Sequence, residues 1–176
     1  MALTRRRATD ALLTDTLCTR CGLCCDGTLL GDVELTGPAE AARLELLGLD
    51  VDTDDGDADV LPLPCAALRG TCCRIYPQRP RTCRAFECRL LQNAQRGAIS
   101  VPDALAHVAA ARAQAQYVKT LLSTAHARAT RLPLAERVAD VIAAPGATAP
   151  RHARAMAELD AAMAALTRTI RTTFLD

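Results

Sequence analysis

CTRCGLCC at residues 18–25 and CRIYPQRPRTCRAFEC at residues 73–88 contain seven of the nine cysteines in this 176-residue chain. The other two, Cys65 and Cys72, lie just before the second segment. The 88 residues after Cys88 contain no cysteine and are rich in Ala, Leu and Arg. This change in composition indicates a cysteine-rich N-terminal part followed by a part of a different kind.

The spacing of the first four cysteines favours metal binding. Two residues between cysteines allow both sulfurs to face one ion while the backbone turns and its amide groups donate to the sulfurs. Gly22, directly after Cys21, suits the tight turn that this arrangement requires. A single CxxC is weak evidence, whereas four cysteines within eight residues and five more downstream are strong evidence.

The start of the chain, MALTRRRATDALLTDTLC, does not predict export. Asp10 and Asp15 interrupt the apolar stretch that a secretory signal needs, and no run in the sequence approaches the length of a membrane span. We therefore expect a cytoplasmic protein with no membrane partner, in a compartment where structural disulfides are rare. An odd number of cysteines also fits poorly with a closed set of disulfides.

Arginines are concentrated around the downstream cysteines. Residues 65–89 contain six arginines and one acid, Glu87. Four thiolates on a divalent metal leave a net charge of about −2, which guanidinium groups offset while also lowering thiol pKa values. Nucleic acid is a poor alternative partner because the chain carries a net charge of only +1 and 2% aromatic residues. A metal ion is the expected partner, a protein substrate or partner stays open, and the oligomeric state is not predicted.

The cysteine-rich part is expected to contain only short regular elements. Gly and Cys make residues 18–27 too irregular for a helix, and residues 61–85 resemble a loop. The expected elements are a helix or arm at residues 1–17, a short strand at 33–35, a helix from residue 36 or 37 to Gly48, and a helix from about Phe86 to Arg96 that Gly97 ends.

The C-terminal part predicts three helices. Ser100 and Asp103 resemble a capping pair, and apolar residues then recur at helical spacing as far as Ala125. Pro133 opens a second helix, and a third follows residue 150 with a stripe from Met156 to Ile170. The predicted fold class is mainly α with irregular cysteine-rich loops: a small metal-stabilised domain at 1–97, followed by an α-helical bundle of about three helices at 98–176 that packs on it.

These motifs resemble the YkgJ-type cysteine cluster family, a zinc- or iron-chelating domain. The similarity covers roughly residues 18–90 and includes the specific pattern C-x-I-Y-x-x-R-P-x-x-C-x-x-F-x-C at 73–88. Arg79 and Pro80 match its Arg-Pro pair, and Cys72 falls outside it. The resemblance implies that the metal ligands are Cys18, Cys21, Cys24, Cys25, Cys65, Cys73, Cys83 and Cys88. It leaves the metal open between zinc and iron, including a [4Fe-4S] cluster.

Three functions follow from this resemblance and the residues. The first is a metal-binding module, and one or two sites are both compatible because zinc and cubane clusters each take four ligands. The second is an enzyme similar to the flagellin lysine N-methylases of the family. Such an enzyme would use an iron–sulfur centre and S-adenosylmethionine. Arg79 or Arg84 would then hold a carboxylate of the cofactor or substrate. The third is a thiol sensor that uses the vicinal pairs Cys24–Cys25 or Cys72–Cys73.

Overall fold

A computed structural model describes residues 2–53, 58–125, 131–144 and 150–175, with the main chain alone for 2–11 and 150–152. These residues form a mainly helical protein with short strands and cysteine-bearing loops, which confirms the predicted fold class. The helices are α1 Ala2–Cys21, α2 Pro38–Leu46, α3 Arg81–Ala85, α4 Arg89–Gln95, α5 Val101–Thr124, α6 Leu134–Ala143 and α7 Pro150–Ile170. A π-helical turn, Arg171–Leu175, continues α7.

Two small antiparallel sheets occupy the region between α1 and α4. The first has the strand order β1-β3-β2, with β1 at Asp32–Glu34, β2 at Asp52–Thr53 and β3 at Asp59–Pro62. The second pairs β4, Leu68–Arg69, with β5, Cys72–Cys73, so that Leu68 lies opposite Cys73. The strand predicted at 33–35 is therefore confirmed, although it is one residue earlier.

The ends of several helices follow the predicted local chemistry. Ser100 caps α5, since its Oγ accepts a hydrogen bond from the Asp103 amide at 3.2 Å. Gly97 has a φ of 73° after α4, and the amides of Gly97 and Ala98 bond back to Ala94 and Asn93. This is the Schellman arrangement, which needs the left-handed conformation that glycine adopts without strain.

Two predictions for the cysteine-rich part were wrong. α1 does not stop at residue 17 but continues to Cys21, so Cys18 and Cys21 lie on its last turn, one turn of helix apart. Residues 81–85 are not a loop, because α3 carries Cys83. The helix predicted near 86–96 begins only at Arg89, directly after Cys88.

The buried side chains form two apolar clusters on either side of the cysteines. The larger cluster joins α1 and α4 to the C-terminal helices and includes Leu17, Leu91, Val118 and Phe174. The smaller cluster lies under the three-stranded sheet and α2 and includes Leu44 and Leu63. Along α7, Leu159, Leu166 and Ile170 of the predicted stripe are buried against the larger cluster.

Candidate metal centre

One cavity brings together the cysteines of both segments. It has a volume of about 280 Å³, and it is lined by apolar side chains from both clusters together with eight thiols. These eight are the cysteines selected by the resemblance: Cys18, Cys21, Cys24, Cys25, Cys65, Cys73, Cys83 and Cys88. All nine cysteines of the chain are described, and all are free thiols.

Cys72 stands apart from the other cysteines. Its side chain is exposed and does not line the cavity. Its thiol lies 3.5 Å from the carbonyl oxygen of Thr19, to which it donates a weak hydrogen bond. The neighbouring Cys73 faces the cavity because successive residues of a strand point to opposite sides.

A tight turn after α1 places the remaining cysteines of the first segment. Gly22 has a φ of 71°, and a Cβ at this position would lie 3.1 Å from the Cα of Thr71. The chain therefore reverses directly against the turn between β4 and β5, where a side chain would collide with backbone. This turn brings Cys24 and Cys25 back towards the cavity.

The four downstream cavity cysteines lie in different parts of the fold. The amide of Cys65 donates to the carbonyl of Cys25 at 2.8 Å, which joins the two cysteine segments directly. Cys73 follows on β5, and Cys83 lies on α3, which packs against β1. Cys88 is the N-cap residue of α4, which packs against α1.

Backbone amides donate hydrogen bonds to three of the sulfurs. The Leu23 amide donates to Cys21, the Ala67 and Leu68 amides donate to Cys65, and the Leu90 and Leu91 amides donate to Cys88. Each donor is two or three residues beyond its cysteine. Such hydrogen bonds stabilise a thiolate, lower the thiol pKa and orient the sulfur, as they do around metal-bound cysteines.

Burial nevertheless dominates the acid–base behaviour of these thiols. It raises the pKa of Cys18 and Cys83 to about 11 and that of Cys21 and Cys25 to about 12. It raises the pKa of Cys24 well above its ordinary value as well. In the absence of a bound cation these five thiols are therefore protonated at neutral pH, because the cavity disfavours the charged form.

Of the arginines around the second segment, Arg79 is the one that lines the cavity. Its guanidinium lowers the pKa of Cys18 and Cys83, although less than burial raises it. Arg79 also stacks 3.5 Å from the ring centroid of Tyr76, and the Tyr76 hydroxyl donates to Asp15 on α1 at 2.5 Å. Arg84 is exposed and lies outside the cavity lining, so Arg79 is the arginine for which the structure supports the expected effect on thiol pKa values.

The sulfurs line the cavity without converging tightly. Among the described residues, no three His, Cys, Asp or Glu side chains lie close enough together to hold one metal ion. The donor set nevertheless has the chemistry of a thiolate metal site, with eight thiols in one partly enclosed space and amide donors on the sulfurs. Coordination would draw sulfurs inward by rotation about side-chain bonds between staggered rotamers.

The C-terminal helices contribute to the cavity in a way that sequence reasoning missed. Val108 of α5 and Phe174 line it, and Phe174 is only 1% exposed. Lys119 of α5 lies 2.7 Å from the carboxylate of Asp26, next to Cys25. The Leu134 amide donates to the Gly27 carbonyl at 2.8 Å. A single phenylalanine far along the chain carries no periodic or motif signal, so only the fold places it here.

This combination of a helical scaffold and a cavity lined by cysteines defines a cysteine-cluster metal-binding protein. Residues 17–103 match the model of the CxxCxxCC family, described as "Putative zinc- or iron-chelating domain". The match covers all nine cysteines and ends within α5. No curated protein and no solved structure shows significant similarity to the chain.

The described part of the chain contains no helix with both the length and the apolar character needed to cross a membrane.

Proposed function

We propose that the protein is a metal-chelating module that holds zinc or iron through cavity-facing cysteine thiolates. One observation carries this proposal: the eight cysteines that match the family pattern line one cavity, whereas the ninth, Cys72, is exposed outside it. Burial of so many free thiols has little use in a purely structural core, because aliphatic side chains fill such space equally well.

The state of the thiols explains why a cation is the expected ligand. A metal ion or cluster supplies the positive charge that converts buried thiols into thiolates, because the ligands release their protons when they bind. The amides that donate to Cys21, Cys65 and Cys88 then stabilise the bound form. A reducing compartment such as the cytoplasm suits this function, since it keeps the nine thiols free.

A methylase activity gains no support of its own. Arg79 is stacked on Tyr76 and its Nε donates to the Tyr76 carbonyl at 3.1 Å, so much of its binding capacity is used within the protein. Arg84 lies outside the cavity lining. We therefore propose metal binding alone, and S-adenosylmethionine is not part of the proposal.

The deciding experiment is metal analysis of protein purified without oxygen. A brown protein with iron and acid-labile sulfide would identify an iron–sulfur centre, and a colourless protein with stoichiometric zinc would identify a zinc site. We expect Cys83→Ser to lower the metal content, and Cys72→Ser, the matched control, to leave it unchanged. Metal-free wild-type protein after growth with both metals, or equal metal content in the two variants, would overturn the proposal.

A further inference from the structure

We propose that the eight cavity cysteines form two sets of four, each holding its own metal centre, and that the adjacent Cys24 and Cys25 belong to different sets. Set A is Cys18, Cys21, Cys24 and Cys88, and set B is Cys25, Cys65, Cys73 and Cys83. This inference rests on the proposed function and adds the stoichiometry and the division of ligands.

Set A is assembled by two packed helices. Cys18 and Cys21 occupy the last turn of α1, and the packing of α4 on α1 places Cys88, at the start of α4, beside them. Cys24 completes the group after the turn at Gly22. All four side chains of set A pack against the larger apolar cluster.

Set B is assembled by backbone pairing. The hydrogen bond from the Cys65 amide to the Cys25 carbonyl brings these residues together. The antiparallel pairing of β4 with β5 then brings Cys73 close to Cys65. Next to this pairing, the Arg74 amide donates to the Ala67 carbonyl at 2.9 Å. Cys65, Cys73 and Cys83 pack against the smaller apolar cluster, on the other side of the cavity.

The electrostatic neighbours of each thiol follow the same division. Cys88 acts on Cys18, Cys21 and Cys24, and Cys24 is influenced by Cys21 and Cys88 more than by Cys25. Cys25 is influenced first by Cys65, Cys83 and Cys73, all of set B, and only then by Cys18. The two adjacent cysteines thus interact electrostatically with different thiols, as expected if the CC pair at the end of the first motif supplies one ligand to each set.

Each set also has groups that can stabilise its thiolates. Amide donors reach Cys21 and Cys88 in set A and Cys65 in set B. Arg79 acts on Cys18 of set A and on Cys83 of set B, so its guanidinium serves both. Four thiolates satisfy one tetrahedral zinc ion or one cubane cluster, so each set is a complete donor group for either.

The test counts metal in the full-length chain loaded with Zn²⁺ without oxygen. Wild type and Cys72→Ser should bind two equivalents, and Cys88→Ser or Cys83→Ser should each bind one. The within-set pair Cys21→Ser/Cys88→Ser should still bind one, whereas the between-set pair Cys83→Ser/Cys88→Ser should bind none. A single equivalent in wild type, or loss of both metals in the within-set variant, would overturn the division.

Thiol alkylation followed by mass spectrometry tests the same point without substitutions. At full Zn²⁺ loading the eight cavity thiols should be protected and Cys72 alone modified, and at half loading protection should appear in groups of four that follow the sets. Protection of only four cavity thiols at saturation, or protected groups that mix the sets, contradicts the division while leaving metal binding intact. No bound metal and no protection in wild type would overturn the proposed function itself.

Discussion

The ammonium of Lys119 on α5 lies 2.7 Å from the carboxylate of Asp26, and both side chains are largely buried, with 28% and 22% exposed. This ion pair connects the C-terminal helices to the loop that carries Cys24 and Cys25. Because Asp26 directly follows Cys25, the pair restricts the position of the cysteine loop as well as joining two parts of the chain.

We expect Lys119→Met to reduce the free energy of unfolding of the metal-loaded protein by about 1–2 kcal/mol, because it leaves a partly buried carboxylate without its cation. The matched control is Arg131→Met, since Arg131 pairs with Asp50 at 3.2 Å but the two side chains are 90% and 71% exposed. That change should cost less than about 0.5 kcal/mol. Urea denaturation of both variants measures the difference, and equal losses would contradict the role of Lys119.

Gly22→Ala should be more damaging than an ordinary glycine substitution. The φ of 71° strains any residue with a Cβ, and here the new methyl group would also meet the backbone of Thr71 at 3.1 Å. We expect a loss of about 2 kcal/mol or more, compared with about 1 kcal/mol for Gly48→Ala, where φ is 78° and a Cβ meets nothing within 4 Å. Thermal unfolding checks the stability, and metal content should fall for Gly22→Ala alone.

Metal affinity should rise with pH. Since burial raises the pKa of Cys18 and Cys83 to about 11, these thiols are protonated at pH 7 and each must lose a proton to become a ligand. Lowering the pH strengthens the competition from protons, so the apparent affinity should fall by up to about tenfold per pH unit for each coordinating thiol. Competition with a chromophoric chelator between pH 6 and 8 measures this slope, and a flat profile would show that buried thiols are not the ligands.

Phe174→Ala should weaken the wall of the cavity. Phe174 is 1% exposed, and its removal should cost about 3–5 kcal/mol and speed alkylation of the thiols in the metal-free chain. Leu175→Ala is the control, because Leu175 is 44% exposed and its loss should change stability by less than about 0.5 kcal/mol. Similar alkylation rates in the two variants would argue against Phe174 as a barrier.

Chelation should destabilise the cysteine-rich part most. Its smaller apolar cluster contains only eight buried residues, and two of them are alanines. We therefore expect ligand binding to supply much of its folding free energy. We expect a strong chelator to lower the melting temperature and to broaden the transition, as followed by circular dichroism. An identical melting curve with and without chelator would contradict this prediction.

Local sequence signals predicted much of the fold. The cap at Ser100, the glycine at residue 97 and the spacing of apolar residues along α5 and α7 depend on neighbours within a few positions. The extension of α1 through Cys21 was missed because cysteine and glycine weaken the helical sequence pattern there. The last turn of α1 is instead stabilised by packing against α4 and α5, which the local sequence does not reveal. α3 was missed because five residues carry too little pattern to recognise.

The site was only partly predictable, because the fold rather than the local sequence positions some of its residues. The motif selected eight cysteines, and the structure places all eight on one cavity, but their role as ligands stays a prediction. The family pattern pointed to Arg79 through its Arg-Pro pair, but the sequence did not separate Arg79 from Arg84 as the cavity residue, because the position of Arg79 depends on the 3₁₀ turn at Tyr76–Gln78. The domain boundary at 97/98 also stays a prediction, and the larger apolar cluster includes residues from both sides of it.

The position of Phe174 also has a consequence for the order of events during synthesis. All eight cavity cysteines precede Phe174 by at least 86 residues of chain. At elongation rates of about 5–20 residues per second, roughly 4–17 s separate the synthesis of Cys88 from that of Phe174. All eight cavity thiols are therefore synthesised before Phe174, the aromatic side chain that lines the same cavity in the folded protein.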